Sequence, residues 1–184
     1  MVRFQTEQPP VYISRNFGNF ARTTADAADA ARLMAIIYVS FADATDACFD
    51  ACFETEHHYL AWRPLSALPL ADHAVNPATV ADPAWWPSSP TPNHPKYPAA
   101  HSCTAGALGE VLYRYHGTDK VRYTFDSKVT GTTRTYTSTD ALAEESLWAR
   151  IHGGMYFRYS ATAGALLGKQ VAGWVIDQYF GMRK

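Results

Sequence analysis

The chain has 184 residues, of which 47% are hydrophobic and 18% charged, so a single folded domain with a sizeable apolar core is expected. A formal net charge of −1 argues against a general basic surface, and no nucleic-acid partner is expected. Aromatic residues make up 14% of the chain, which suits a helical core or a pocket lined by rings.

The N-terminal segment lacks the apolar stretch that is typical of a signal peptide, so a cytoplasmic location is predicted. Residues 1–22 are interpreted as an arm, and the part "EQPPVYISRNFGNF" is not expected to form a helix. Residues 23–184 are assigned to a single helical core. The whole pattern predicts an all-α fold with a long Pro-rich loop.

A long helix is predicted to begin near Thr23 or Thr24, which can cap it, and to be closed or kinked by Pro64. The Asp and Thr residues at 43–46 mark a point where it could break. Its segment from Ala30 to Ala44 is apolar nearly all round but too short to cross a bilayer, which favours burial and no membrane partner. One face of this segment needs cover, and a homodimer is the expected solution.

Residues 64–98 contain nine prolines, which exclude a regular helix or a central strand and predict a long loop. Long ordered loops are often functional. A helix is predicted from about Ala99 to Tyr115, ended by Gly117. The Thr- and Tyr-rich residues 121–138 then predict a hairpin turning near Thr130 and Gly131, although an extended loop fits them nearly as well.

Two further helices are predicted in the C-terminal third. The first is capped by Ser138 or Thr139 and runs to about His152, where Gly153 and Gly154 break it. The last is capped by Ser160. Its glycines at 164 and 168 lie four residues apart and allow another helix to approach closely.

The three cysteines, Cys48, Cys52 and Cys103, are interpreted as small buried side chains. An odd number gives no disulfide framework, and no metal-ligand spacing is present among them.

Three stretches place a basic residue or a histidine at a helix end beside Pro or Gly: "HHYLAWRP", "YPAAHS" and "ARIHGGMYFRYS". Arg63, Arg150 and Arg158 are candidate ligands for an oxyanion, because a guanidinium donates paired hydrogen bonds to such groups. His101 and Ser102 lie where a helix begins, and its free N–H groups favour an anion there.

The order and spacing of these stretches resemble the vanadium-dependent haloperoxidase and type-2 phosphatidic-acid-phosphatase superfamily. Its pattern has Lys, six residues and Arg-Pro, then Pro-Ser-Gly-His, then Ser-Arg, five residues, His, three residues and Asp. Arg63-Pro64, "PAAH" at 98–101 and Ala149-Arg150 match the three blocks. The resemblance covers about residues 33–180, and the family proteins are longer.

The resemblance implies a helical bundle with an anion pocket. In the family, the Lys and the two Arg hold vanadate or phosphate, the first His acts as an acid–base group, and the last His binds vanadium or attacks phosphorus. Arg63, His101 and Arg150 stand at matching positions. Residues 23–184 would then be the haloperoxidase-like catalytic core.

The departures from the family pattern are as informative as the matches. Glu56 stands at the Lys position, Tyr156 at the last His and Ser160 at the Asp, while Ala99 and Ala100 replace the Ser and Gly. A carboxylate about 4 Å from an oxyanion costs on the order of 4 kcal/mol at an effective dielectric near 20. Tyrosine, with an ordinary pKa near 10, substitutes poorly for imidazole. No cofactor is therefore expected, with vanadate as the alternative.

Some of these residues allow more than one interpretation. His152 lies one helical turn before Tyr156 and could turn inward to supply an imidazole, or lie on the surface. Glu56 could pair with Arg63 or Arg150. A divalent-metal site is a further alternative, built from Glu56 and the histidines at 57, 58, 101 and 152.

The favoured function is a non-redox enzyme that isomerises, rearranges or cyclises a small organic substrate. Glu56 or His101 would act as the base, Tyr156 as the acid or as a hydrogen-bond donor to an oxyanion, and the arginines would bind negative charge. One alternative is a vanadate-dependent haloperoxidase or acid phosphatase. The other is a binding or structural relic, whose pocket would be filled by side chains.

Overall fold

The computed structural model describes residues 1–7, 9–59, 61–73 and 76–181. These residues form a helical bundle with one two-stranded hairpin, which confirms the predicted fold class. The elements are α1 (Pro9–Ala21), α2 (Ala27–Tyr59), α3 (Pro64–Ala67), α4 (Ala100–His116), β1 (Tyr123–Ser127), β2 (Thr132–Tyr136), α5 (Ala141–His152) and α6 (Arg158–Val175). Short 3-10 turns at Val2–Gln5 and Ala71–His73 and a π-helical turn at Ile176–Phe180 complete the described chain.

The prediction that the N-terminal arm lacks a helix is wrong, because α1 forms there. Its two prolines occupy the first turn, where a helix needs no backbone N–H groups. The Asn16 side chain fixes α1 to β1, since it donates to the Asp126 carbonyl oxygen and accepts from the Asp126 N–H. Four apolar side chains of α1 join the main core: Tyr12, Ile13, Phe17 and Phe20.

α1 therefore covers part of the apolar face of α2, against which it packs. Leu33, Ile36 and Ile37 of α2 are buried, whereas Tyr38 and Val39 stay exposed on another face. The predicted homodimer would have to use such residual exposed surface. Light scattering of the purified chain at micromolar concentration tests it: a dimer mass supports the prediction, and a persistent 20.4 kDa monomer contradicts it.

The long helix is continuous through residues 43–46, where a break was considered. The hydroxyl of Thr45 donates to the Phe41 carbonyl oxygen one turn back, so this threonine is accommodated inside the helix. The predicted caps Thr23 and Thr24 lie before its start. Asp26 caps it instead, through a 2.9 Å bond from the Asp29 N–H.

The chain from the end of α3 to residue 98 is a loop, as predicted. Its described part contains one 3-10 turn. α4 ends as predicted at Gly117, whose φ of 66° is readily adopted only by glycine. The predicted hairpin is confirmed, with β1 and β2 antiparallel and Gly131 in the turn at φ 64°. In the described parts of the chain, no helix is long and apolar enough to span a membrane.

The predicted side-chain caps of the last two helices are wrong. Asp140 occupies the N-cap position of α5, and its carboxylate pairs with Lys169 rather than capping. Ser138 contributes only its carbonyl oxygen to the start of α5. Ser160 lies inside α6, and its hydroxyl donates to the Lys96 carbonyl oxygen, which fixes the loop against the bundle.

Cys48 and Cys103 form a disulfide that joins α2 to α4, which corrects the interpretation of three unpaired cysteines. Cys52 remains a free, buried thiol 2.7 Å from the Pro98 carbonyl oxygen. An odd number of cysteines could not show that two of them face each other from separate helices. The bridge lies two residues after His101 and two turns before Glu56, so it ties together the helices that carry both.

Gly164 and Gly168 allow α6 to lie directly on α4, as the spacing predicts. A Cβ atom at Gly168 would overlap the carbonyl oxygen of Cys103, and one at Gly164 would overlap that of Ala99. Backbone atoms cannot move aside as the end of a flexible side chain can. The close approach therefore depends on these two glycines.

Gly168→Ala is expected to lower the free energy of unfolding by about 1–3 kcal/mol, because the added methyl group must push α6 away from α4. Gly18→Ala is the matched control, since Gly18 is exposed in α1 with open space around it. That control should be neutral or more stable, by up to about 1 kcal/mol, through helix propensity. Urea denaturation measures both, and equal midpoints would contradict the close approach.

Candidate active site

An open cleft of about 610 Å³ lies between the end of α2, α3 and the Pro-rich loop. Apolar side chains, including Phe53 and Trp62, form part of its lining, and both are more than half exposed. Its ionisable lining residues are Glu56, Arg63, His94 and Lys96. Two of them, Glu56 and Arg63, were singled out from the sequence, and the other two come from the Pro-rich loop.

Arg63 connects the cleft to the turn that follows α5. Its backbone is extended, as expected for a residue before proline. Its Nη1 donates to the Met155 carbonyl oxygen at 2.8 Å and its Nη2 to the His94 carbonyl oxygen at 2.6 Å. The guanidinium also lies 4.5 Å from the centre of the Tyr156 ring. Since these partners are neutral, Arg63 keeps a net positive charge at the cleft.

Tyr156 is only 1% exposed and lies under the cleft rather than in its lining. Its hydroxyl is 3.5 Å from Nη2 of Arg63 and 3.4 Å from Nε2 of His94. Burial raises the pKa of Tyr156, while Arg63 acts in the opposite direction. The residue at the family's last-histidine position is therefore a neutral, buried phenol at pH 7.

His94 was not identified from the sequence, because nothing in the loop marks it. Its Nδ1 lies 2.8 Å from the Pro95 carbonyl oxygen, which can only accept, so Nδ1 carries the proton. The unprotonated Nε2 then accepts from the Tyr156 hydroxyl. Its ring packs edge-on against Phe49 at 5.1 Å. Burial lowers the pKa of His94, which keeps this tautomer neutral.

Lys96 was also missed, although it directly precedes the "YPAAHS" stretch. Its side chain is buried, and its Nζ lies 4.6 and 4.5 Å from the ring centres of Phe157 and Tyr159. The Nζ group hydrogen-bonds to the Tyr159 hydroxyl. Burial lowers the pKa of Lys96 to about 8, with Arg63 adding to this effect and Glu56 opposing it.

Glu56 lines the same cleft, and its Oε2 atom is buried without a hydrogen-bond partner. Among the described residues Glu56 forms no salt bridge, so the pairing with Arg63 or Arg150 that was considered does not occur there. A buried carboxylate oxygen without a donor is costly, which marks this position as unusual.

The pKa of Lys96 predicts a pH dependence of stability. The folded state binds fewer protons than the unfolded state between about pH 8 and the ordinary lysine value of 10.5. The free energy of unfolding should therefore rise with pH across this window, because the cost of burying the charge is removed. Urea titrations of wild type and Lys96→Met should show the rise in their difference. A flat difference would contradict the lowered pKa.

Arg150 and His101 face a different cavity, of about 10 Å³, lined by α1, α4 and α5. Arg150 is 4% exposed, donates to the Gln5 carbonyl oxygen at 2.6 Å and contacts the Met155 sulfur at 3.2 Å. Burial lowers the pKa of Arg150 to about 10. Burial and the neighbouring Arg150 lower the pKa of His101 well below its ordinary value.

Three residues that line this cavity each carry a buried polar atom without a hydrogen-bond partner: the Tyr12 hydroxyl, Nδ1 of His101 and Nε of Arg150. The cavity has room for about one water molecule, which could bridge such groups. A tetrahedral oxyanion is larger than this space. Arg63 and Arg150 thus both contact Met155, but they face separate cavities.

The remaining predicted site residues lie outside the cleft lining. His152 is exposed and stacks on Trp148, so it does not turn inward. Arg158 is exposed as well, with its guanidinium 4.9 Å from a ring centre of Trp148. Ser102 is fully buried, and its hydroxyl has no hydrogen-bond partner.

The metal site considered from the sequence is also not assembled. His58 pairs with Glu54 at 2.7 Å, and its ring packs against that of His57 on an exposed part of α2. Within the ranges that the structure describes, no group of three or more His, Cys, Asp or Glu side chains is placed to hold a metal ion.

The sequence matches the family described as the VCPO second helical-bundle domain over residues 32–183. The chain belongs to this family. A search of curated proteins found no match.

Solved structures agree with this VCPO-domain fold. A bacterial vanadium-dependent iodoperoxidase matches with a TM-score of 0.76 at 24% identity, over 96% of this chain and 42% of that one. A holo-type bacterial vanadium-dependent chloroperoxidase matches with a TM-score of 0.71 at 14% identity, over the same shares. The chain thus spans less than half of these proteins, and at such identities the likeness shows the fold.

The side chains of this VCPO domain do not fit a vanadate ion at the family's position. Tyr156 offers a buried, neutral phenol already hydrogen-bonded to Arg63 and His94. Arg150 and His101 surround a space too small for the ion. Glu56 adds a carboxylate to the lining of the neighbouring cleft, where it disfavours an anion.

Proposed function

We propose that this VCPO-domain protein is an enzyme that performs non-redox acid–base chemistry on a small organic substrate bound in the cleft. Isomerisation, rearrangement and cyclisation at a carbonyl or enol belong to this class. The observation that carries the proposal is the convergence of Glu56, Lys96 and Arg63 on one open cleft, with an unpaired carboxylate oxygen on Glu56.

Each of these three side chains has a suitable role. A carboxylate can remove a proton from carbon beside a carbonyl group, which makes Glu56 the proposed base. Lys96, with a pKa of about 8, can donate or accept a proton near neutral pH. Arg63 supplies a positive charge that stabilises the developing enolate oxygen or binds an anionic substrate.

The roles considered for His101 and Tyr156 change in this proposal. His101 faces the small cavity rather than the cleft, and Tyr156 is 1% exposed. We assign them as positioning residues. Tyr156 supports the Arg63 guanidinium from below and fixes His94, which keeps the cationic side of the cleft in place.

The alternatives have less support. A structural relic would have a pocket filled by side chains, whereas the cleft has about 610 Å³ of free space. A haloperoxidase or phosphatase would need an oxyanion at the position where Glu56 and Tyr156 replace its ligands. We accordingly propose a small-molecule substrate. The proposal includes neither a vanadate cofactor nor a nucleic-acid or membrane partner.

Deuterium exchange at the α-carbon of simple carbonyl compounds in D₂O tests the proposal. Pyruvate, levulinate and dihydroxyacetone serve as probes, and proton NMR follows the loss of the α-proton signal. The wild-type chain should accelerate exchange of at least one probe, and Glu56→Gln should slow it by about 10²–10⁴-fold. Glu54→Gln is the matched control, because Glu54 is an exposed carboxylate on the same helix.

Exchange unaffected by Glu56→Gln would contradict the proposed base. A complete absence of catalysed exchange with all three probes would count against the proposed class of reaction.

A further inference from the structure

Lys96 differs from the other described lysines. It is 2% exposed and lines the cleft, whereas Lys120 and Lys128 are exposed and Lys169 pairs with Asp140. Within the described residues, no carboxylate oxygen lies within ion-pair distance of its Nζ atom. Its amine is thus desolvated without an acidic partner, on a residue that lines the cleft.

The surroundings of Nζ suit a nucleophilic amine. The rings of Phe157 and Tyr159 shield it from water at 4.6 and 4.5 Å, and the cation of Arg63 stands nearby. Desolvation in an apolar site and a neighbouring cation are the two conditions that free the lone pair of a catalytic lysine. The backbone of Lys96 is held by the Ser160 hydroxyl, so the position of the side chain is defined.

We infer that Lys96 forms an imine with an aldehyde or ketone substrate in the cleft. This inference rests on the proposed function and names its substrate class. The Tyr159 hydroxyl accepts a hydrogen bond from Nζ, which leaves its own proton free for donation to a group bound at Lys96.

The step balances without any further reagent. The neutral amine of Lys96 attacks the carbonyl carbon, a C–N bond forms, and one of the two nitrogen protons moves to the carbonyl oxygen, which becomes a hydroxyl group. This hydroxyl takes a second proton from the Tyr159 hydroxyl and leaves as water, and the Tyr159 phenolate regains a proton from solvent. The resulting iminium withdraws electrons from the α-carbon, from which Glu56 removes a proton.

Reductive trapping on the wild-type chain tests this inference. Pyruvate and cyanoborohydride are added at pH 7, and peptide mass spectrometry locates the adducts. The pKa of Lys96 is about 8 against an ordinary value of 10.5, so far more of its amine is neutral at this pH. We expect at least a tenfold higher initial rate of adduct formation at Lys96 than at Lys120 or Lys128.

The outcomes separate this inference from the proposed function. Lys96 modified no faster than the exposed lysines would overturn the inference. α-Proton exchange that survives in Lys96→Arg but fails in Glu56→Gln would also overturn it, while leaving the acid–base function standing. Trapping at Lys96 without any catalysed exchange would support the inference and contradict the proposed function. Lys120→Arg controls for the general loss of one amine.

Discussion

Replacing both Cys48 and Cys103 by alanine is expected to lower the free energy of unfolding by about 4 kcal/mol. The two residues are separated by 55 positions, and the bridge removes the closure entropy of that long loop from the unfolded state. The loss should also affect the cleft, because the bridge ties the start of α4 to the helix that carries Glu56.

Urea denaturation of the oxidised protein and the double variant measures this effect. A thiol titration in denaturant without reductant should give one reactive thiol per chain, Cys52, and three after reduction. Cys52→Ala is the control that removes a buried thiol but leaves the bridge intact. Three reactive thiols before reduction, in protein purified under air, would contradict the disulfide.

Glu56→Lys combined with Tyr156→His is expected to raise the affinity for vanadate by two to three orders of magnitude. The first change replaces a repulsion of about 4 kcal/mol between the Glu56 carboxylate and the ion by an attraction of similar size. The second restores an imidazole at the family's last-histidine position. Halide oxidation with peroxide and vanadate should be absent in the wild type and partly restored in the double variant. Phosphatase activity of the wild type should be low.

The control for this gain is Glu54→Lys with Tyr156→His, which makes the same charge change on an exposed part of α2. Its vanadate affinity should stay close to that of Tyr156→His alone. If the control gains as much as Glu56→Lys with Tyr156→His, the effect is one of net charge, and the role of Glu56 in excluding the ion is wrong.

Local sequence patterns predicted those parts of the fold that local physical chemistry decides. Gly117 and Gly131 end a helix and turn a hairpin because few other residues adopt a positive φ. Gly164 and Gly168 allow α6 to approach α4 because they lack side chains. Nine prolines in residues 64–98 kept that segment from forming a long helix.

Features that depend on contacts between distant parts of the chain were missed. α1 contains two prolines and a glycine, yet it is helical because Tyr12, Phe17 and their neighbours find a core to pack against. The disulfide needs α2 and α4 to bring two cysteines together. Ser160 had a partner in the loop, Lys96, that no local pattern could indicate.

Only part of the candidate site was predicted, because the rest of it also depends on contacts between distant parts of the chain. Family spacing identified Arg63, Arg150, His101, Glu56 and Tyr156, but only the packing separates the cleft from the small cavity. Lys96 and His94 lie in a loop whose path depends on Arg63, which bonds to its carbonyl groups. His152 and Arg158 are exposed instead, and each contacts the ring of Trp148.

Isothermal titration of the wild-type chain with orthovanadate tests the central claim most directly, namely that this VCPO domain has replaced its oxyanion site by an acid–base cleft. No saturable binding is expected below millimolar vanadate, because Glu56 repels the ion and Tyr156 supplies no ligand. One-to-one binding with a micromolar dissociation constant, abolished by Arg63→Ala or Arg150→Ala, would contradict it.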